Sequence, residues 1–362
     1  MIETDIQKFK TAIVYDRVNK FGGAERVLLT LHEMFPEAPL YTSVYNSKTA
    51  EWANVFPKIY TSFLQNFKFV RKHHQFFGWL MPIVFEQFNF SEYDLVISVT
   101  SEAAKGIITL PKTKHVCLML TPTRYLWSGY NFYFKNQFLK FISKPIINYL
   151  RWWDKVAANR PDKIIAISTV VKERIKKYYG RDSVIIYPPV ALQLINPKPT
   201  IYSKEYFFIH GRFEPYKKLG LVVDTFNELE LPLVVSGNGS EFKRLKRKAN
   251  QNIKFVEKPI DEELSELYSN AKAFLMPQEE DFGITSVEAQ SFGVPVIAYK
   301  KGGALDTVID GKTGVFFNKQ TKESLKQAIA KFDTMSFNSG YLITNASRFS
   351  KDIFKKNFLK VI

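Results

Sequence analysis

The amino-acid sequence predicts an α/β protein of two doubly wound domains, each a parallel sheet with helices on both faces. Three observations carry this. Short apolar runs alternate with helical patterns, which marks βα units. The alternation stops once, at YPPV (187–190) and the Pro-containing stretch that follows to about Ser203, and then begins afresh. The 362 residues are 46% hydrophobic and 24% charged, enough for more than one core. The expected boundaries are 1–190 for a first Rossmann-like domain, 191–345 for a second, and 346–362 for a C-terminal helix crossing back to the first.

The elements follow in order. TAIVYD (11–16) reads as a strand, then a glycine turn, then the helix AERVLLTLHEMF (24–35), whose apolar residues recur three and four apart. YDLVISVT, KHVCLML, KIIAIS and SVIIYPP are continuous apolar runs of strand length, as strands covered on both faces require. VVKERIKKYY (170–179) is helical. In the second half EYFFIHGR, LPLVVSGNG, KFVE, KAFLMP and PVIAY read as strands. LGLVVDTFNEL, EFKRLKRKA, DEELSELYSN and ITSVEAQSF are the helices between them, the last stopped by Gly293 as a C′ glycine. SRFSKDIFKKNFLKVI (347–362) again has helical spacing.

A single cysteine, Cys117, excludes an intramolecular disulfide and fits a reducing compartment. The N-terminus is charged from residue 3 without an apolar core, so no signal peptide is read. No apolar run reaches the roughly 18 residues of a membrane span. The expected location is therefore cytoplasmic, with peripheral contact at the inner face of the membrane. That last expectation comes from charge. The formal net charge is +16, and residues 101–190 hold 16 Lys/Arg against 5 Asp/Glu. In the same window, YLWSGYNFYFKNQFLKFISKPIINYLRWW interleaves basic and aromatic residues. Core aromatics with solvated lysines would explain it, as would an anionic membrane surface bearing on Lys135, Lys140, Lys144, Arg151 and Lys155 and on the aromatics Trp127, Phe132, Phe134, Phe138, Trp152 and Trp153.

In open α/β sheets, ligands sit beyond the carboxyl ends of the strands, where helix N-termini point amides outward. Four loops there are suitable. Gly22 and Gly23 precede the first helix, and either form a plain tight turn or let the backbone approach a phosphate or sugar. HGRFEPYKK places Arg212 and Lys217 after a strand, a pairing suited to a diphosphate. Gly237 and Gly239 in SGNGSEF open a helix but lack the third glycine of a dinucleotide fingerprint. MPQEEDFG carries Glu280, and Phe282, Gly283 and Ile284 begin the next helix. Glu280 could complement the helix dipole. Glu288 is too deep for a cap, and a buried carboxylate without a partner is costly.

With these motifs the chain resembles the retaining GT-B glycosyltransferases of family 4, along nearly its whole length. The likeness is strongest over 206–318, where Arg212, Lys217 and the Glu280-x7-Glu288 pair keep the family's order and spacing, and GGAER, TPTRYLW and IIYPPV extend it. Its nearest flavour is bacterial mannosyltransferase-like enzymes of surface polysaccharide or glycolipid synthesis. The resemblance implies transfer of a sugar, with retention, from a nucleotide-sugar donor (GDP-mannose or a UDP-sugar) to a glycan or lipid-linked acceptor. It implies that Glu288 holds the donor ribose and that Glu280 faces the donor sugar. It further implies that Arg212, Lys217 and the amides of Phe282, Gly283 and Ile284 meet the diphosphate, with Gly22 and Gly23 closing over it. Thr121 and Arg124 would lie on the acceptor or sugar side. No D-x-D occurs, so no metal and no cofactor is expected, the nucleotide-sugar being a substrate.

The chain departs from the family where Leu120 replaces a His, and where Ser101 and Glu102 stand near another. None of the histidines at 32, 73, 74, 115 and 210 is an evident replacement, and His73-His74 reads as a basic loop. Glu257 replaces a glycine that relatives often have near the base. The alternative is a non-catalytic nucleotide-sugar-binding or partner protein on the same fold. A dehydrogenase would need G-x-G-x-x-G with an acid about 20 residues on, which neither glycine loop supplies. A nucleic-acid partner would explain the charge but leaves the spacing of Glu280 and Glu288 without a role.

Overall fold

The computed structural model describes residues 9–67, 69, 74–134, 136–192 and 205–362. It divides into two compact units, residues 1–189 with 352–362, and residues 190–351.

The N-terminal unit holds a seven-stranded sheet of order β3-β2-β1-β4-β5-β6-β7, parallel throughout. Its strands are β1 (Thr11–Tyr15), β2 (Leu40–Thr42), β3 (Ile59–Thr61), β4 (Leu95–Thr100), β5 (Lys114–Met119), β6 (Lys163–Ala166) and β7 (Val184–Ile185). Four helices matter here: α1 (Gly23–Met34), α2 (Met81–Glu86), α3 (Gln137–Ala157) and α4 (Thr169–Tyr179). Helix α4 has the sequence signals at both ends: Ser168 Oγ accepts from the Val171 amide, and Gly180 ends it at φ +71°. Cys117 is fully buried in β5, and burial pushes its thiol up to about 11.

The C-terminal unit repeats the plan with six parallel strands of order β10-β9-β8-β11-β12-β13. They are β8 (Tyr206–Arg212), β9 (Leu233–Asn238), β10 (Ile253–Glu257), β11 (Ala271–Met276), β12 (Val296–Tyr299) and β13 (Gly314–Phe317). The helices are α5 (Leu219–Leu229), α6 (Phe242–Lys248), α7 (Asp261–Ser269), α8 (Ile284–Ser291), α9 (Ala304–Thr307), α10 (Lys322–Asp333) and α11 (Ser339–Ser347). Two apolar clusters cover the sheet, one around Phe207, Phe226, Leu275 and Phe332, the other around Phe208, Tyr268, Phe274 and Val296.

The stretch expected as a C-terminal helix holds one, shorter at both ends. Helix α11 ends at Ser347, and α12 (Lys351–Leu359) starts after a short break. Residues 352–362 group with the N-terminal unit, where Lys355 Nζ sits 2.8 Å from Glu33 Oε2 on α1. The aromatics grouped as one surface in the sequence also separate. Trp153 is buried and donates through Nε1 to Glu86 Oε1 at 2.7 Å, because the Gly106 backbone leaves room for its ring. Trp127 is half-buried and stacks on Tyr178 at 5.1 Å, and Phe134 is half-buried, leaving Phe132, Phe138 and Trp152 exposed. Lys135 and His73 lie outside the described residues.

Candidate active site

Each sheet reverses its strand order once, between β1 and β4 and between β8 and β11. The crevice at such a reversal is where an open α/β sheet binds ligands. At the reversal in the C-terminal unit, Arg212 ends β8 and Lys217 closes a 3₁₀ turn (Pro215–Lys217), while Glu280 lies in the loop after β11. Lys217 Nζ and Glu280 Oε1 form an ion pair across the reversal, with both side chains less than one-fifth exposed. Gln278 Nε2 donates to the same carboxylate oxygen at 3.0 Å, and its own Oε1 is buried without a hydrogen-bond partner. Arg212 is exposed and donates to Tyr216 OH at 2.9 Å, and Lys217 Nζ sits 5.5 Å from the centre of the Tyr216 ring. Tyr216 thus touches both cations.

The loop carrying Glu280 is clamped from behind by Gly302 and Gly303. The Gly303 amide donates to the Glu280 carbonyl at 2.8 Å. A Cβ on Gly302 would fall 2.3 Å from that carbonyl oxygen, and one on Gly303 would fall 2.2 Å from the Phe282 carbonyl. Only glycine fits both positions. Phe282 is buried with its ring against Phe349 at 5.4 Å, Gly283 caps α8 at φ +93°, and Ile284 is its first residue. The inner face of α8 is locked by polar contacts: Ser286 Oγ donates to Thr307 Oγ1 at 2.8 Å, and Asn345 Nδ2 donates to Gln290 Oε1 at 2.7 Å.

Glu288 is half-buried, which corrects the reading of a buried carboxylate. The helical period explains it. Ser286, Val287, Ala289 and Gln290 face inward, whereas Ile284, Thr285, Glu288 and Ser291 share the partly exposed side. Tyr268 OH donates to Glu288 Oε2 at 3.2 Å. Gly237 and Gly239 have a packing role: a Cβ on Gly237 would lie 1.9 Å from the Gly211 carbonyl oxygen, and one on Gly239 would lie 2.7 Å from the Phe213 nitrogen. Both let the chain on either side of Arg212, at the end of β8, lie close against the end of β9. Helix α6 begins only at Phe242, and Glu257 is exposed at the end of β10.

The reversal in the N-terminal unit has a matching arrangement that the sequence reading missed. Asp16, directly after β1, is buried and accepts from Thr100 Oγ1 at 2.9 Å and from the amides of Ser101, Glu102, Ala103 and Ala104 at 2.6–3.0 Å. Arg17 pairs with Glu102 at 2.5 Å. The signal was an acid closing an apolar strand. Gly22 caps α1 in an extended conformation, and Gly23 is its first residue. Glu25 is buried and accepts from Tyr15 OH at 2.9 Å; a Cβ on Gly22 would come within 3.2 Å of its Oε2. Burial, with Glu25 beside it, raises the Tyr15 phenol well above its ordinary value.

The TPTRYLW loop follows β5. Leu120 donates its amide to the Thr100 carbonyl at 2.8 Å, Thr121 Oγ1 is buried without a partner, and Arg124 is half-buried. A second missed group anchors this loop. Asp154 on α3 pairs with Lys105 at 2.6 Å and accepts from Thr123 Oγ1 at 2.8 Å and from Trp127 Nε1 and Tyr179 OH at 2.7 Å. Its signal was a lysine inside the apolar run AAKGII. His115 is buried in β5 against Ser98 Oγ at 2.8 Å, and burial lowers it to about 3, so it stays neutral at working pH. His210 lies beside Ser236 Oγ at 3.1 Å.

The structure therefore brings Lys217 and Glu280 into contact, with Arg212 joined to Lys217 through Tyr216, and places Phe282, Gly283, Ile284 and Glu288 on the adjoining loop and helix. Gly22 and Gly23, at the start of α1, and Thr121 and Arg124, in the loop after β5, belong to the other unit. Among the described residues, no group of three or more His, Cys, Asp or Glu side chains is placed to hold a metal ion, and no helix is long and apolar enough to cross a membrane.

Comparison with known proteins supplies the family. Residues 21–194 match the model described as Glycosyltransferase Family 4, and residues 193–348 match the one described as Glycosyl transferases group 1. An uncharacterized glycosyltransferase of Methanocaldococcus jannaschii is 26% identical over 56% of this chain and 58% of its own. An alpha-1,3/1,6-mannosyltransferase of Dictyostelium discoideum is 31% identical over 37% of this chain and 39% of its own. The chain thus spans less than two thirds of the length of these curated relatives. Among solved structures, Anabaena HepE in complex with UDP-glucose superimposes with a TM-score of 0.67 at 16% identity, over 97% of this chain and 98% of that one. With both family models matched in tandem on two Rossmann-like sheets, the chain belongs to the GT-B glycosyltransferases of family 4.

Proposed function

We propose that the protein is a retaining, metal-independent glycosyltransferase that moves a sugar from a nucleotide-sugar donor to a glycan or lipid-linked acceptor. The observation that carries this reading is the Lys217–Glu280 pair at the strand reversal, with Arg212 alongside and the N-terminus of α8 one step away. A nucleoside diphosphate leaving group needs positive charge and oriented amides where its own charge develops, and this end of the sheet offers both. Glu280, held by Lys217 and Gln278, would accept hydrogen bonds from the donor sugar, and Glu288 from the ribose. The Anabaena neighbour holds UDP-glucose and the Dictyostelium relative is a mannosyltransferase, so the donors to test are UDP-sugars and GDP-mannose.

The deciding experiment is a thermal-shift panel of nucleotides and nucleotide-sugars, followed by transfer to an acceptor extract with the anomeric configuration of the product read by NMR. A cognate donor raises the unfolding midpoint by mass action. An inverted product, or binding without turnover, would overturn the reading, and the second outcome is what Leu120 in the family's His position would give in a non-catalytic binder.

Two expectations follow. Glu288→Ala weakens nucleoside diphosphate binding by about 10- to 150-fold, the equivalent of about 1.5–3 kcal/mol for a charged hydrogen bond. Glu280→Ala instead lowers kcat and leaves that affinity within about threefold. Calorimetry on both variants checks this, and an unchanged affinity in Glu288→Ala would remove the ribose role. Transfer also persists in EDTA, and activity lost to chelation and restored by magnesium or manganese would show a metal carrying the diphosphate.

A further inference from the structure

Helix α3 has more apolar surface than the core uses. Ile147, Leu150, Trp153 and Ala157 face inward. On its other side Phe138, Ile142, Pro145, Tyr149, Trp152 and Val156 recur at steps of three and four residues, and all six are exposed. At 1.5 Å per residue this second stripe runs about 27 Å. Phe141, 78% exposed, stands at its edge. Between the two stripes lie Lys140, Lys144, Arg151 and Lys155, while the acid of this helix, Asp154, is buried under them in its pair with Lys105. A groove of about 440 Å³ beside the stripe is lined by Lys140, Phe141, Lys144 and Arg151. Arg151 is fixed there, since its Nε donates to the Leu126 carbonyl at 2.8 Å and its guanidinium lies 4.7 Å from the centre of the Tyr130 ring.

We propose that this outer stripe of α3 docks the protein onto an anionic lipid surface, with the groove receiving a headgroup phosphate. Charge decides for lipid over a second copy of the chain. An antiparallel two-fold pairing along the stripe would set its cationic edge against the same edge, and a parallel one would set it against an edge of the helix that carries no acid, since Asp154 is buried in its pair with Lys105. An anionic bilayer takes both features at once: the aromatics and isoleucines seat at the headgroup level while the lysines reach the phosphates. The inference does not depend on the proposed sugar transfer.

The test is cosedimentation of the full chain with phosphatidylcholine vesicles, with and without phosphatidylglycerol, at low and high salt. Binding is expected only to the anionic vesicles and is expected to weaken as salt rises. Phe138→Ser with Ile142→Ser and Trp152→Ser should reduce it by about tenfold or more, as should Lys144→Glu with Lys155→Glu. All five positions are exposed, so circular dichroism and the unfolding midpoint should match the parent. Binding that ignores lipid charge or salt would overturn the proposal, as would a triple variant that binds like the parent. A dimer in sedimentation velocity that the triple variant abolishes would also overturn it, by assigning the stripe to a second copy.

Discussion

Asp154→Ala is expected to destabilise the N-terminal unit by about 3–5 kcal/mol, the usual cost of breaking a buried ion pair from one side. Asp154 and Lys105 are each 1% exposed, so neither charge has solvent to fall back on. Without the carboxylate, the Lys105 ammonium keeps the Thr123 hydroxyl at 3.2 Å, the Glu102 carbonyl and the Tyr179 ring 5.6 Å away, but loses its paired charge. Trp127 Nε1 and Tyr179 OH lose their acceptor at the same time, so the TPTRYLW loop loosens along with the core. Lys105→Met with Asp154→Leu removes both charges and should recover most of the loss, since a buried pair replaced by apolar residues is often neutral. The measurement is denaturant unfolding of the four members of this cycle, with the transition of the N-terminal unit followed separately, because a two-unit chain need not unfold in one step. A midpoint in Asp154→Ala equal to the parent's would mean that the pair is not buried as described.

That network also marks where sequence reading stopped. The two domains were legible because buried parallel strands announce themselves as continuous apolar runs, and β1, β4, β5, β6, β8, β9 and β11 all sit on such runs. Strands β2 and β3 have three residues each, too short for a pattern. Helix α3 escaped for a different reason. Its 21 residues keep a helical period, but the apolar arc covers two faces and Pro145 interrupts the run, so the stretch reads as interleaved aromatic and basic residues and not as a single core-facing stripe. In the site, Arg212, Lys217 and Glu280 could be found because charge after a strand is unusual and their spacing matched a family. Asp16, Lys105 and Asp154 could be noticed only as charges in apolar company, since their partners are brought together by the fold from up to 88 residues away. Glu288 shows the opposite error: neighbours in sequence suggested burial, and the 3.6-residue period put it on the partly exposed side.

Arg212→Ala with Lys217→Ala is expected to lower transfer by about 10³-fold or more. A donor aimed at developing negative charge is worth about 10²–10³ in kcat. Two removed together should exceed that, though not by the full product, because Tyr216 contacts both cations and couples them. Removing Lys217 also leaves Glu280 without its cation, so loss of activity by itself does not assign the role. Two comparisons do. Lys217→Arg keeps the charge and should retain far more activity than Lys217→Ala if charge is what the leaving group needs. The double variant should bind the nucleoside diphosphate much more weakly and the bare nucleoside about as well as the parent, because the proposed contacts are to phosphate. Transfer within tenfold of the parent, or equal losses of diphosphate and nucleoside affinity, would place the diphosphate elsewhere and leave the Lys217–Glu280 pair as a structural tie between the loops after β8 and β11.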